Sequence, residues 1–392
     1  MNTGNVIKVK DISSSDSGHK ITFDVFVNSR KFPLYFKSND VELTPNPEVF
    51  LALTLLAGME LKYKIEFDGE VSNKFMRAMP AVQSIYAQSY IHRQYKHVDL
   101  SNIGSRADEE NLAQGVGAFF SGGIDSFYTL LKNQEEITHL IFINGFDVTL
   151  GKSSIEEKTS ELIRACGKEF GKKVIEIETN LRDFMKTYVS FPIHHGSFLA
   201  ATGHLLSSEI NKIFLPAADS YGEMGNVGSH PLLDPLWSSD KVEYIHDGCE
   251  ASRMEKLPIV MKSKFASEHI RVCYAKSDTV MNCGKCEKCV RTITGLMAIN
   301  ALEDCKSFNT KIDVKDILKI ELTDSKRPFY TEILYALDKE NKHPEVAYAI
   351  STLLFKPHLL KRNTEILKKY FRRQKYRYPK LYLVWKQYFA QN

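Results

Sequence analysis

Between residues 113 and 301, short continuous apolar runs alternate with stretches whose apolar positions recur every three or four residues. The runs at Val116–Phe120, 140–146, 173–179 and 212–217 predict strands buried on both faces. The stretches at 124–131, 153–171 and 197–210 predict helices, the second closed by a glycine. Strand and helix in strict alternation predict an α/β fold with a doubly wound parallel sheet. Ahead of it, ITFDVFV (21–27) and FPLYF (32–36) read as strands. PEVFLALTLLAGMEL (47–61) reads as an apolar helix capped by Asn46, followed by YKIEF and a helix near 74–88. After about 312 the pattern turns to short amphipathic helices. The expected organisation is an N-terminal α+β module (1–110), an α/β domain (111–305) and a C-terminal helical region (306–392).

Charge and cysteine content sharpen this outline. The formal charge of +4 conceals a basic segment: residues 355–392 hold eleven Lys/Arg against one acid, Glu365, so the other 354 residues are net acidic. That tail interleaves basic and aromatic residues, a pattern for phosphate contact and base stacking. Ile366, Leu367, Tyr370 and Phe371 equally suit a helix docked on the domain. No run of about 18 apolar residues occurs, and MNTGNVIKVKD lacks a signal-peptide core, so a soluble cytoplasmic protein without membrane contact is expected. An odd set of seven cysteines, four of them clustered, does not read as a disulfide framework.

The chemistry-bearing stretch is GVGAFFSGGIDSFYTLLKN (115–133). It places Ser121-Gly122-Gly123 between a predicted strand and a helix. Glycines there admit close backbone approach, and the N–H groups opening the helix make an anion site suited to phosphate. A Walker loop is excluded, since no Gly-Lys-Ser/Thr follows, and the G-x-G-x-x-G fingerprint is absent. The stretch resembles the SGGxDS loop of the PP-loop ATP pyrophosphatase superfamily at all five defined positions: Ser121, Gly122, Gly123, Asp125 and Ser126.

A second cluster, RVCYAKSDTVMNCGKCEKCVRT, spaces Cys273, Cys283, Cys286 and Cys289 as C-x9-C-x2-C-x2-C. Four thiolates so spaced can close a structural, tetrahedral zinc site. An iron–sulfur cluster is the rival reading of the same spacing. Cys166, Cys249 and Cys305 read as packing residues.

A PP-loop followed by this cysteine spacing is similar to the 7-cyano-7-deazaguanine synthases over about residues 113–301. The resemblance implies a Rossmann-like (HUP, adenine nucleotide alpha hydrolase) parallel sheet, ATP and Mg²⁺, and structural Zn²⁺. It also implies adenylation of a carboxylate or amide with release of PPi, then attack by ammonia or an amine. In that scheme Ser121, Gly122, Gly123, Ile124, Asp125 and Ser126 bind the pyrophosphate end of ATP, with Asp125 placed for Mg²⁺. Asn144, Gly145 and Phe146 frame adenine, while Ser121, Asp125, His195 and Lys256 serve catalysis. Asp219, Ser220, Glu223, His230, Asp234 and Arg253 face the acceptor. His194-His195-Gly196 is expected just before a helix; Arg253 and Lys256 equally fit a solvated helix face. The acceptor segment departs from the synthases: ADSYGEMGNVGSHPLLDPLWSS (218–239) stands where they carry Gly-Tyr-Pro-Asp-Cys-Arg. The acceptor is therefore open, a small acid or amide or a protein or nucleic-acid group, and the oligomeric state is open too. Sulfur transfer to tRNA, using the basic tail and the cysteines, is an alternative function. A non-catalytic nucleotide sensor is another.

Overall fold

The computed structural model describes residues 5–90, 93–146, 150–151, 153–188, 190–225, 228–273, 281–308, 312–340 and 343–355. The basic tail from residue 356 onward, with Ile366, Leu367, Tyr370 and Phe371, lies outside the described residues.

Eleven strands occur among them: β1 (Val6–Ser15), β2 (Lys20–Val27), β3 (Arg30–Lys37), β4 (Lys64–Glu66), β5 (Glu70–Ser72), β6 (Gly104–Arg106), β7 (Gly115–Phe119), β8 (His139–Asn144), β9 (Lys173–Thr179), β10 (Ile210–Pro216) and β11 (Glu243–Asp247). The helices are α1 (Pro47–Leu61), α2 (Asn73–Ser89), α3 (Ile124–Lys132), α4 (Ser153–Phe170), α5 (Leu181–Tyr188), α6 (Phe191–His204), α7 (Arg253–Met261), α8 (Lys264–His269), α9 (Glu287–Ala298), α10 (Val314–Leu318), α11 (Arg327–Glu340) and α12 (Pro344–Phe355).

Nine strands form one sheet in the order β11-β10-β7-β8-β9-β3-β2-β1-β4, while β5 and β6 pair separately. From β11 to β9 every neighbour is parallel. Numbered within that parallel part, the order is 3-2-1-4-5, a doubly wound sheet whose switch point lies between β7 and β10. Both faces are covered, which is why the strands carry continuous apolar runs. Ile141 and Ile143 enter the core shared with α1 and α6, whereas Leu140 and Phe142 are buried outside that core. Helices α3, α7, α8 and α4 contact one another in series.

The chain divides into two compact units, 1–282 and 283–392. The boundary expected near residue 110 does not separate bodies. Strand β3 pairs antiparallel with β9 through Phe36–Thr179 and Lys37–Glu178, so the N-terminal strands extend the same sheet. Helix α1 spans the residues its apolar run predicts. It is buried nearly all round and packs on α6 and against β1 and β4, so the segment that reads as a separate module shares one hydrophobic core with the main sheet. Asn46 is the N-cap residue, as expected, but its side chain makes no capping bond to the helix. Its Nδ2 instead donates to His204 O (3.0 Å) and Ser207 Oγ (2.7 Å), fastening the start of α1 to the end of α6. In the second unit α11 packs on α9 and α12, and Arg327 Nη1 donates to Leu354 O at 2.8 Å.

Candidate functional site

The two glycines of the turn after β7 do different work. Gly122 has φ +76°, the left-handed region, and a Cβ there would stand 3.2 Å from Leu162 Cδ2. It is required by the backbone. Gly123 has φ −82° and room for a Cβ at ordinary contact distance, so the fold does not require it. It lines a cavity, and a side chain there would occupy that space. Gly123 is also the N-cap of α3: its carbonyl accepts the Phe127 N–H (3.0 Å) and the Ser126 hydroxyl (3.0 Å). The first N–H groups of a helix have no intrahelical acceptor, and here they open beside the cavity.

Asp125, in the first turn of α3, is held by cations rather than left as a lone acid. Arg253 Nη1 is 2.8 Å from its Oδ2, and Lys256 Nζ is 3.7 Å from its Oδ1. The two cations thus offset the charge of the carboxylate. Both cations come from the first turn of α7, which starts at a capping box formed by Ser252 and Glu255. Their side chains are 9% and 1% exposed. The solvated helix face that the sequence equally allows is not found: Lys256 packs over the Tyr128 ring and donates to Ala217 O at 2.7 Å, just beyond β10.

The cavity, about 500 Å³, lies at the carboxyl ends of β7, β8 and β10. Ser121, Gly123, Asp125 and Ser126 form one side. Phe119, Phe120, Ile141, Phe142, Ile143, Phe146, Phe191, Leu199 and Leu215 make apolar walls, and His195 and Ser229 add polar groups. A mostly apolar cleft with few convergent polar groups at a switch point has the form of a small-molecule site.

The two histidines do not precede α6; they lie inside its first turns, because the helix begins at Phe191-Pro192. Their fates differ. His194 is fully buried, with Nδ1 2.9 Å from Ser190 O and Nε2 3.2 Å from the Tyr95 hydroxyl. Burial lowers its pKa to about 4, so it is a neutral packing group. His195 lines the cavity, and its Nδ1 is 3.2 Å from Pro192 O.

Comparison with protein-family profiles, curated proteins and solved structures gives no match. The site therefore stands on its geometry.

Of the expected acceptor residues, Arg253 joins the loop through Asp125, and Asp234 takes a role the sequence does not announce. Asp234 is fully buried; its Oδ2 is 2.6 Å from Ser229 Oγ and 2.7 Å from His246 Nδ1. Burial alone would lower the His246 pKa, but the bond to Asp234 and the neighbouring Cys249 outweigh it and raise the value to about 9. The imidazolium–carboxylate pair orients Ser229 at the cavity wall. No motif in the sequence marks His246; it reaches Asp234 because Glu243–Asp247 forms β11.

Asp219, Ser220, Glu223 and His230 do not line the cavity. Ser220 is buried, and the His230 ring accepts from the Leu232 N–H at 3.1 Å, so these residues shape the loop. Phe146 is a cavity wall. Gly145 (φ +103°) is explained by packing, since a Cβ there would collide with Thr179 O. Asn144 ends β8 with a buried Oδ1 that has no partner, and it is not among the lining residues.

The sulfur atoms of Cys273, Cys283, Cys286 and Cys289 all lie within 4.8 Å of one another. Four thiolates about 2.3 Å from one tetrahedral ion stand about 3.8 Å apart, so a small contraction would close the set on a metal such as zinc. Thiolates that cap separate irons of a four-iron cluster stand farther apart. The Cys286 N–H points at Cys283 Sγ (3.2 Å), and Cys286 and Cys289 sit at the cap and first turn of α9. Cys166, Cys249 and Cys305 are buried, as packing residues are.

Proposed function

We propose that the chain is an ATP-dependent enzyme of the PP-loop type, with a Rossmann-like nucleotide-binding sheet, that adenylates a carboxylate or amide oxygen. The observation that carries this reading is the glycine turn: it opens a helix at the switch point of a doubly wound sheet and forms one side of an apolar-walled cavity. The N–H groups of Gly123, Ile124, Asp125 and Ser126 suit the leaving pyrophosphate. Arg253 and Lys256, with Asp125 fixing their positions, add positive charge beside it. The apolar walls, Phe146 among them, suit adenine.

In this reaction an acceptor oxygen attacks the α-phosphorus, the Pα–O–Pβ bond breaks, and PPi leaves. Ammonia or an amine then adds to the activated carbon and expels AMP. His195 and Ser229 stand on the cavity wall where an acceptor would lie, His195 as a proton carrier and Ser229 as an orienting hydroxyl. Mg²⁺ accompanies the nucleotide; among the described residues none is assigned as its ligand. The cysteine set holds zinc in a structural role, since all four positions are filled by protein.

The test is Gly123→Val. Because the backbone at 123 accepts a side chain, the variant is expected to melt only slightly below wild type, by the small cost of valine at a helix N-cap, and to lose ATP binding in calorimetric titration. Wild-type protein is expected to release PPi from ATP when a panel of carboxylic acids is supplied with ammonia. Undiminished ATP affinity in Gly123→Val would refute the site.

A further inference from the structure

One hydroxyl on the cavity wall has its proton already committed. Ser229 lines the cavity, and its Oγ donates to Asp234 Oδ2 at 2.6 Å. Asp234 is fully buried, so this bond is charge-assisted and shielded from water. The His246 imidazolium donates its Nδ1–H to the same oxygen at 2.7 Å. An ionised carboxylate only accepts, so it has no proton to offer Ser229 in exchange.

The backbone that carries Ser229 is fixed as well. The Gly228 N–H donates to Pro192 O at 3.0 Å, in the first turn of α6, and the Tyr86 hydroxyl donates to Gly228 O at 3.2 Å. Ser229 Oγ also stands 3.4 Å from His246 Nδ1, on β11. In the sheet, β10 and β11 lie on one side of β7 and β8 lies on the other, and the glycine turn follows β7. Phe146, on the wall suited to adenine, follows β8. Ser229 is therefore across the turn from the adenine wall, where the adenylation reading puts the acceptor.

A hydroxyl has one proton to give and two lone pairs to offer. With the proton held by Asp234, Ser229 presents lone pairs to a ligand in the cavity. We propose that Asp234 and His246 are specificity-determining residues that fix Ser229 as a hydrogen-bond acceptor, so that the substrate activated here is an amide and not a carboxylate. This rests on the adenylation reading above. An amide gives an N–H to Ser229 and leaves its oxygen free to face the α-phosphorus. A carboxylate has only acceptors, and it can bind Ser229 only by drawing the hydroxyl proton away from a buried carboxylate. Asp234 and His246 act through Ser229, as positioning residues.

The experiment titrates benzamide and benzoate, two probes of one shape suited to the apolar walls, into the full-length, metal-loaded chain and follows binding by ligand-observed NMR. Wild type, Ser229→Ala and Asp234→Asn are compared, with melting curves for each and ATP titrated into wild type in parallel. Wild type is expected to prefer benzamide by about 10- to 100-fold, because benzoate must break a charge-assisted bond. Ser229→Ala should cut that preference to about threefold or less. Asp234→Asn keeps the shape and leaves a neutral bond of roughly half the strength, so its preference should fall between the two, with benzoate gaining. A merely structural aspartate would weaken both probes alike and keep the preference, and that result would overturn the proposal. Equal binding of the two probes by wild type would overturn it, as would a preference unchanged in Ser229→Ala or binding of neither probe. If Asp234→Asn fails to fold, Ser229→Ala alone decides. Wild type that binds ATP without preferring benzamide would sink this inference only. Wild type that selects benzamide through Ser229 but does not bind ATP would sink the nucleotide reading and leave the selectivity of Ser229 standing.

Discussion

Asp125 offers the sharpest test of how the site is held together. Asp125→Asn removes the charge that balances Arg253 at 2.8 Å and Lys256 at 3.7 Å and keeps the side chain's shape. Two unit charges about 4 Å apart attract by roughly 4 kcal/mol at an effective dielectric of about 20. The Lys256 side chain is 1% exposed, so its desolvation offsets part of that attraction. Removing one partner of a buried pair costs about 3–5 kcal/mol. Asp125 is 22% exposed, so Asp125→Asn is placed at the low end, about 3 kcal/mol. Lys256→Met should cost less, because it takes away a charge that was expensive to bury and fills the same volume. The double variant should lose less than the sum of the single losses, with a coupling of about 1–3 kcal/mol. Urea unfolding followed by fluorescence reads this directly: of the chain's two tryptophans, Trp237 is fully buried in the first unit, and Trp385→Phe silences the other. Losses that add to within about 0.5 kcal/mol would show that the carboxylate and ammonium do not interact, and the account of the loop's charge balance would fail.

The remaining expectations follow from single contacts. Gly122→Val should destabilise the protein by about 1–3 kcal/mol through its left-handed backbone, unlike Gly123→Val; equal melting curves for the two would contradict the division of labour between the glycines. The pH profile of stability should fall on both sides. Burial holds His194 and His204 at about 4, below an unfolded value near 6.5, so their contribution is complete above pH 6.5 and is lost as pH falls towards 4. His246, raised to about 9, contributes fully below pH 6.5 and loses its contribution as pH rises through 9. His246→Gln should flatten that alkaline limb in melting curves from pH 6 to 10, and an unchanged limb would discount the Asp234 pair. Cys286→Ser should lower zinc content from about one per chain, measured by elemental analysis, and lower the melting temperature. Chelation that strips zinc without moving the curve would refute a structural site.

Local features were legible in the sequence because contiguous residues carry them. The apolar run at 47–61 marks α1 at both ends, the runs at 140, 173 and 212 mark β8, β9 and β10, and Gly122-Gly123 marks the turn to α3. The cysteine spacing likewise named four sulfurs that do lie within reach of one ion. Tertiary structure alone decided the rest. An alternating strand does not name its neighbour, so the pairing of β3 with β9, which joins β1 to β4 to the main sheet, could not be read. An Arg-x-x-Lys pair on a helix looks the same whether it faces water or a carboxylate 128 positions away. The pairing of Ser229 and His246 with Asp234 is likewise set where separate segments meet. The charge and hydrogen-bonding capacity of a side chain belong to its sequence; its partner, and hence whether it is core, clamp or ligand group, depends on distances that only the folded chain fixes.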